Sequence, residues 1–82
     1  MNYIWVVRIS GRPDDAYFST AEKAYGYLID EISAKVIDAN EASNRREIVY
    51  YSEQVLNLDA EFYKDEEDFG CAYGYATKME VD

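Results

Sequence analysis

The 82-residue chain contains no histidine and only one cysteine, Cys71. The absence of histidine excludes a Ser-His-Asp triad, a histidine general base and most catalytic zinc sites. A single cysteine excludes an intramolecular disulfide and fits a reducing cytosol. Because no histidine could activate its thiol, we expect Cys71 to be a small core residue rather than a nucleophile. These absences predict a protein that is not an enzyme and that uses no cofactor or metal.

Long hydrophobic runs are absent as well. No run approaches the roughly 20 apolar residues of a membrane-spanning helix. The N-terminal segment 1–8 has no basic stretch followed by the roughly 7–15 apolar residues that a signal peptide requires. From these two features we expect a cytoplasmic protein that does not associate with a membrane.

Basic residues are scarce and unevenly distributed. Lys and Arg number 8 against 17 Asp and Glu, which gives a formal net charge of −9. Residues 53–82 contain nine acidic and two basic residues, a net charge of −7, whereas residues 1–52 are nearly balanced. Such a field repels nucleic acid and anionic lipid and attracts basic surfaces. The charge distribution therefore excludes direct nucleic-acid binding and predicts a basic protein surface as the partner.

The chain is nevertheless apolar enough to fold around one core. Hydrophobic residues make up 49% and aromatic residues 16%, with nine Tyr, three Phe and one Trp. A chain of this length buries only about 60–65% of its unfolded surface, which leaves little room for a deep catalytic cleft. We expect a single domain over residues 1–82.

The first eighteen residues predict a β-hairpin. Apolar side chains occupy both alternating faces of Tyr3–Ile9, which is typical of a strand covered on both sides. The segment 10–15 is dense in turn-forming residues, and Ala16–Phe18 then continues as a short second strand. The two strands and their turn together make the hairpin.

A capping box at Ser19 and Glu22 predicts the start of one amphipathic helix of about twenty residues that ends near Asn40. Gly26 lies inside this helix and weakens it by roughly 1 kcal/mol relative to alanine. No role for this glycine follows from the sequence, unless another group packs closely against it. The apolar side of the helix consists of Tyr25, Leu28, Ile29, Ile32, Val36 and Ala39.

Three later segments are predicted as strands. Residues 47–51 are rich in β-branched and aromatic side chains, although a helix over residues 42–52 is an open alternative. Residues 56–63 and 71–81 both alternate apolar and polar side chains, which predicts a second hairpin. The sequence order is then β-β-α-β-β-β, an α+β fold with an antiparallel sheet of four to five strands and one amphipathic helix packed on one face.

The favoured register of the second hairpin pairs Phe62 with Tyr73, because a slip by one residue would expose one of the two apolar sets. In this register Cys71, Tyr73 and Tyr75 point into the core. The outward carboxylates would lie beside small side chains that let a partner approach the backbone. These small residues are Ala72, Gly74 and Ala76.

Four consecutive carboxylates, Asp65 to Asp68, would form the tip of this hairpin. Their spacing can resemble successive phosphates, and tyrosine is a frequent contact residue at interfaces. A solvated turn that only keeps the protein soluble is the alternative; calcium binding is disfavoured because the run lacks the ligand alternation and central glycine of an EF-hand. The predicted partner-binding residues are Asp59, Glu61, Tyr63, Asp65, Glu66, Glu67, Asp68 and Phe69.

A short acidic α+β chain with Asp65-Glu66-Glu67-Asp68-Phe69 and plentiful tyrosine resembles small phage-encoded inhibitors of host defence. Among these are anti-CRISPR proteins that occupy the DNA-binding groove of a Cas effector. Segments 6–9 and 16–24 also resemble the strand-turn-strand-helix start of many small phage proteins. The resemblance implies a non-enzymatic DNA mimic that binds the basic groove of a Cas nuclease, or of another nucleic-acid-binding protein, in a bacterial cytoplasm.

Two other functions fit the same sequence. An immunity protein or antitoxin that neutralises a basic nuclease toxin would use the same charge, with electrostatic steering of association. A small phage structural or assembly subunit would instead oligomerise through exposed strand edges. The sequence is compatible with a monomer or a homodimer.

Overall fold

The computed structural model describes residues 2–81, which form a four-stranded antiparallel sheet and two helices. The strands are arranged in the order β2-β1-β4-β3, and both helices pack on the same face of the sheet. The predicted α+β class with an antiparallel sheet of four strands is therefore confirmed. The elements are β1 (Asn2–Ile9), β2 (Ala16–Phe18), α1 (Ala21–Glu41), α2 (Arg45–Lys64), β3 (Asp68–Gly70) and β4 (Gly74–Val81).

The N-terminal part follows the sequence prediction closely. β1 and β2 form the predicted hairpin, in which Val6 is paired with Tyr17. The predicted capping box of Ser19 and Glu22 is wrong, because the N-cap of α1 is the next residue, Thr20, whose hydroxyl accepts from the Lys23 N–H at 3.2 Å. Ser19 is therefore outside the helix, whose first acidic residue is Glu22.

The second half of the chain contains a helix where strands were predicted. The predicted strands 47–51 and 56–63 are both parts of α2, so the helical alternative for residues 42–52 is the correct one. The Asn44 side chain begins this helix by accepting from the Glu47 N–H at 3.2 Å. The sequence order is therefore β-β-α-α-β-β, and the predictions of a single helix and of a strand at residues 56–63 are wrong.

The C-terminal strand β4 pairs with β1 over its whole length, from Gly74 opposite Ile9 to Val81 opposite Asn2. The predicted pairing of Phe62 with Tyr73 does not exist, since Phe62 belongs to α2. Instead, the three-residue strand β3 adds to the other side of β4.

This pairing changes which residues of the last segment face the helices. Gly74 and Ala76 are buried, whereas Tyr75 is 45% exposed on the opposite face of the sheet. The prediction that Tyr75 lies in the core is therefore wrong, and Gly74 and Ala76 are not available to a partner. Cys71 and Tyr73 are partly buried and pack against the core, as predicted.

The core lies between the sheet and the two helices. Its largest fully buried side chains come from four elements, which shows that both helices and the strands β1 and β3 contribute to one core. Neither helix in the described residues has the length and apolar character needed to cross a membrane. The largest buried side chains are Phe69, Leu28, Ile32, Leu58 and Val7.

Candidate functional site

The acidic run connects helix α2 to strand β3, rather than two strands of a hairpin. Asp65 is the C-cap of α2, and its backbone N–H donates to the Glu61 carbonyl at 2.9 Å. Its carboxylate accepts from the Glu67 N–H at 2.9 Å. The Trp5 indole N–H donates to the Glu66 carbonyl at 2.9 Å. These bonds fix the backbone of the run against the helix and the sheet, so its carboxylates project from an anchored segment rather than from a free loop.

The carboxylates of the run meet a further one from the end of the sheet. Asp65, Glu67 and Asp68 line one shallow depression together with Glu80 of β4. Glu66 lies beside them, and all five residues are exposed. We call this set, Asp65 to Asp68 with Glu80, the acidic edge. It is the strongest concentration of one charge that we find in the described part of the chain, and the depression that it lines is open to solvent.

Lys78 is the basic residue within this depression. Its ammonium group lies 2.9 Å from a Glu67 carboxylate oxygen and 4.1 Å from the centre of the Tyr3 ring. The hydrogen bond with Glu67 raises the pKa of Lys78. Asp68 accepts from the Thr77 hydroxyl at 3.3 Å. One lysine thus shares the depression with four carboxylates, so most of the negative charge of the acidic edge is uncompensated.

Four predicted site residues lie outside the acidic edge. Glu61 is exposed on α2, and Tyr63 is 78% exposed there, two residues before the edge begins. Phe69 is only 2% exposed and belongs to the core, so its ring cannot contact a partner in this structure. Asp59 is partly buried and accepts a hydrogen bond from the Tyr25 hydroxyl. The predicted stripe of outward carboxylates on a β-strand is therefore absent.

Sequence analysis missed four residues of the depression, namely Tyr3, Thr77, Lys78 and Glu80. They reach it because β1 and β4 are neighbours, with Tyr3 opposite Glu80. No local sequence pattern predicts a pairing between segments that are this far apart in the chain. The one available signal was the apolar character of both faces of β1, which indicates a central strand with a partner on each side.

The hydrogen bond between Tyr25 and Asp59 ties α1 to α2 beside the aromatic part of the core. Tyr25 also stacks on Phe62, with ring centres 4.3 Å apart. Burial, followed by the hydrogen bond to Asp59, raises the pKa of Tyr25 to about 12. Asp59 therefore has a structural partner inside the fold, which makes it a poor candidate for binding another protein.

The variant Tyr25→Phe is expected to lower the free energy of unfolding by about 1–2 kcal/mol at neutral pH, since it removes a hydrogen bond to a carboxylate. A tyrosine whose pKa is raised by folding contributes fully below its unfolded pKa of about 10. That contribution is lost as the pH rises through the folded value of about 12. Denaturation curves should therefore show the difference between the two proteins shrinking as the pH is raised.

Tyr17→Phe is the matched control, because Tyr17 is 63% exposed on the sheet. We expect it to leave the free energy of unfolding unchanged within about 0.5 kcal/mol. A difference between wild type and Tyr25→Phe that stays constant into the alkaline range would contradict the proposed coupling of Tyr25 to Asp59.

Among residues 2–81, no group of three or more Cys, Asp or Glu side chains is arranged to hold a metal ion. Comparison of the chain with protein families, with curated proteins and with solved structures gives no match. The fold and the site thus define an α+β protein with an acidic, structurally anchored edge, and its function has to be argued from that surface.

Proposed function

We propose that this protein is a non-enzymatic inhibitor that places its acidic edge in the basic, nucleic-acid-binding groove of a nuclease. The observation that carries this proposal is the convergence of Asp65, Glu67, Asp68 and Glu80 on one anchored depression. A groove that evolved to bind phosphates presents lysines and arginines at close spacing. Carboxylates held together on one edge offer these side chains the negative charges that phosphates would otherwise supply.

The anchoring of the edge supports this function energetically. The backbone of the acidic run is already fixed by hydrogen bonds from Trp5 and Glu67 and by the helix end at Asp65. Less conformational entropy is lost on binding when the recognition surface is preorganised. The neighbouring Tyr63 ring, which is 78% exposed, offers contact area at low entropic cost.

The resemblance to phage-encoded inhibitors makes a Cas nuclease our preferred target within this class. Inhibition by the acidic edge would then be competitive with DNA. It would also weaken steeply with salt, because occupation of a DNA-binding groove releases the counterions that are bound there. The test uses two groups of purified basic nucleases, one of Cas effectors and one of nuclease toxins. Each nuclease is tested for direct association with this protein and for loss of DNA binding in its presence.

The decisive variant neutralises the acidic edge without changing its shape. Glu66→Gln, Glu67→Gln, Asp68→Asn and Glu80→Gln are combined in one protein. The control combines Asp14→Asn, Glu22→Gln, Asp38→Asn and Glu41→Gln, which changes the net charge equally at exposed positions elsewhere.

We expect the first variant to bind the target at least about 100-fold more weakly. This corresponds to roughly 0.7 kcal/mol for each of the exposed charges. The control should stay within about threefold of wild type, because distant exposed charges are largely screened. Binding can be measured by calorimetric titration at physiological salt. The proposal fails if the neutralised edge binds as tightly as wild type, or if wild type binds no member of either nuclease group.

A further inference from the structure

The outer surface of the helical layer carries an apolar groove between α1 and α2. We call it the helix groove; it has a volume of about 460 Å³. Ile37 and Leu56 are 59% and 69% exposed along it. Ile37 lies nine residues after the buried Leu28, which places the two on opposite sides of α1. The groove is lined by Ser33, Val36 and Ile37 of α1 and by Ser52, Val55 and Leu56 of α2.

The same side of the two helices extends beyond the groove in both directions and carries polar residues among the apolar ones. On each helix its residues alternate in steps of three and four, which keeps them on one side of the helix. Val49 and Tyr63, at the two ends of the series on α2, are 56% and 78% exposed. Steps of three and four are the spacing at which a further helix packs into a groove. The series are Gly26, Ile29, Ser33, Val36 and Asn40 on α1, and Val49, Ser52, Leu56, Asp59 and Tyr63 on α2.

Gly26 belongs to this surface and has no explanation within the described chain. It lies two turns before Ser33 on the same side of α1, about 10 Å along the axis. A Cβ atom added at Gly26 would meet nothing within 4 Å, apart from its own stretch of helix. Glycine is, after proline, the least favourable residue inside a helix. Its presence is explained if another backbone comes close to α1 at this point.

The charges beside the helix groove indicate what kind of partner would fit. Asp30 and Glu41 on α1 and Glu53 on α2 are exposed, and each lies one helical turn from a residue that lines the groove. Arg45 is the basic residue on the groove side of α2. A second copy of this chain would bring these carboxylates against one another. A helix with basic flanks would instead meet them with opposite charge.

We propose that the helix groove docks an amphipathic helix of another protein, with apolar residues in steps of three and four and with lysines or arginines on its flanks. The helix-in-groove mode supplies apolar anchors along one side of the docked helix. The distance from Gly26 to Asn40 is about 21 Å, so about four helical turns of the partner would be covered. This surface shares Tyr63 with the surroundings of the acidic edge but none of the edge's own residues, so a test at Ile37, Leu56 and Gly26 does not depend on the proposed function.

The test uses the full chain and a labelled model peptide of leucine and lysine, about 18 residues long, with leucines in steps of three and four. A scrambled peptide of the same composition measures the purely electrostatic attraction. Fluorescence anisotropy is recorded at about 0.15 M ionic strength, where exposed charges are screened beyond roughly 8 Å. The labelled peptides are kept below the concentration at which they self-associate.

We expect the patterned peptide to bind at least about tenfold more tightly than the scrambled one. Leu56→Gln and Ile37→Gln should each remove this preference. Tyr17→Gln makes the same polar change at a 63% exposed residue of the sheet and should keep it. Equal binding of the two peptides to wild type, or an unchanged preference in Leu56→Gln, would overturn the proposal.

The variant Gly26→Gln distinguishes an effect on peptide docking from an effect on the stability of the fold. The variant should melt at a higher temperature than wild type, because glutamine is a better helix former. It should also bind the patterned peptide at least about fivefold more weakly, since its side chain occupies the space that we assign to the partner. A damaged fold cannot produce this combination. Unweakened binding in Gly26→Gln, or a wild-type dimer in sedimentation equilibrium that Leu56→Gln dissociates, would contradict the assignment of the groove to another protein's helix.

Discussion

Replacing Phe69 by alanine is expected to lower the free energy of unfolding by about 3–5 kcal/mol. The Phe69 ring is 2% exposed and lies edge-on to Phe62, with ring centres 5.0 Å apart. It is the one fully buried side chain that the three-residue strand β3 supplies to the core. The change therefore leaves a cavity and releases the short strand. The free energy of unfolding of a chain this small lies near the lower end of roughly 5–15 kcal/mol, so the variant would lose most of it.

Chemical denaturation followed by circular dichroism measures this loss directly. Tyr63→Ala serves as the control, because Tyr63 is aromatic and nearby in sequence but 78% exposed. We expect the control to change the free energy of unfolding by no more than about 0.5 kcal/mol. A loss below about 1 kcal/mol in Phe69→Ala would mean that the ring is not a core residue, and would restore it as a possible partner contact.

Replacing Gly70 by alanine is expected to cost about 3 kcal/mol or more, although only one methyl group is added. A Cβ atom at this position would lie 2.3 Å from the Tyr75 Cβ and 2.6 Å from the Tyr75 Cα. Gly70 and Tyr75 are paired residues of β3 and β4, so neither backbone can move without breaking the pairing. The strand would have to shift and carry the neighbouring Phe69 with it.

Gly26→Ala makes the same chemical change where the added atom meets nothing. It should raise the free energy of unfolding by up to about 1 kcal/mol, because alanine favours the helix and restricts the unfolded chain. Parallel denaturation curves of the two variants should thus shift in opposite directions. Shifts of the same sign would show that the close contact at Gly70 relaxes easily or that Gly26 has a structural role within the fold.

The N-terminal half was predictable because each of its signals is local. Turn-forming residues separate β1 from β2, and a hydroxyl residue with a following glutamate marks the start of α1. The one-residue displacement of the cap from Ser19 to Thr20 reflects two adjacent hydroxyl residues that could each perform this role.

Helix α2 was missed because its sequence fits both the two-residue period of a strand and the 3.6-residue period of a helix. Leu56, Leu58 and Phe62 fit an alternating strand, and the polar residues between them fit the outward positions. The better match was the helical series Tyr51, Val55, Leu58 and Phe62, whose members are all at least partly buried. Good helix formers such as Glu53, Gln54, Ala60 and Lys64, together with the cap at Asn44, favoured that series.

The candidate site was predictable only in part for a similar reason. The acidic run itself is visible in the sequence, and its position in a connection between elements was anticipated. Its anchoring by Trp5 and the contribution of Glu80 depend on the pairing of β1 with β4. That pairing joins segments more than sixty residues apart, and no short-range pattern encodes it.

The pairing of β1 with β4 also determines when the sheet can form during synthesis of the chain. The two central strands are the first and last elements of the described chain, so β1 has only the three-residue β2 beside it until β4 has been synthesised. At ribosomal speeds of about 5–20 residues per second, that interval lasts several seconds. During it, the apolar strand β1 has an unpaired edge that could pair with another polypeptide. The sheet can close only after translation of Gly74–Val81, so the core cannot be completed while the residues before β4 are being synthesised.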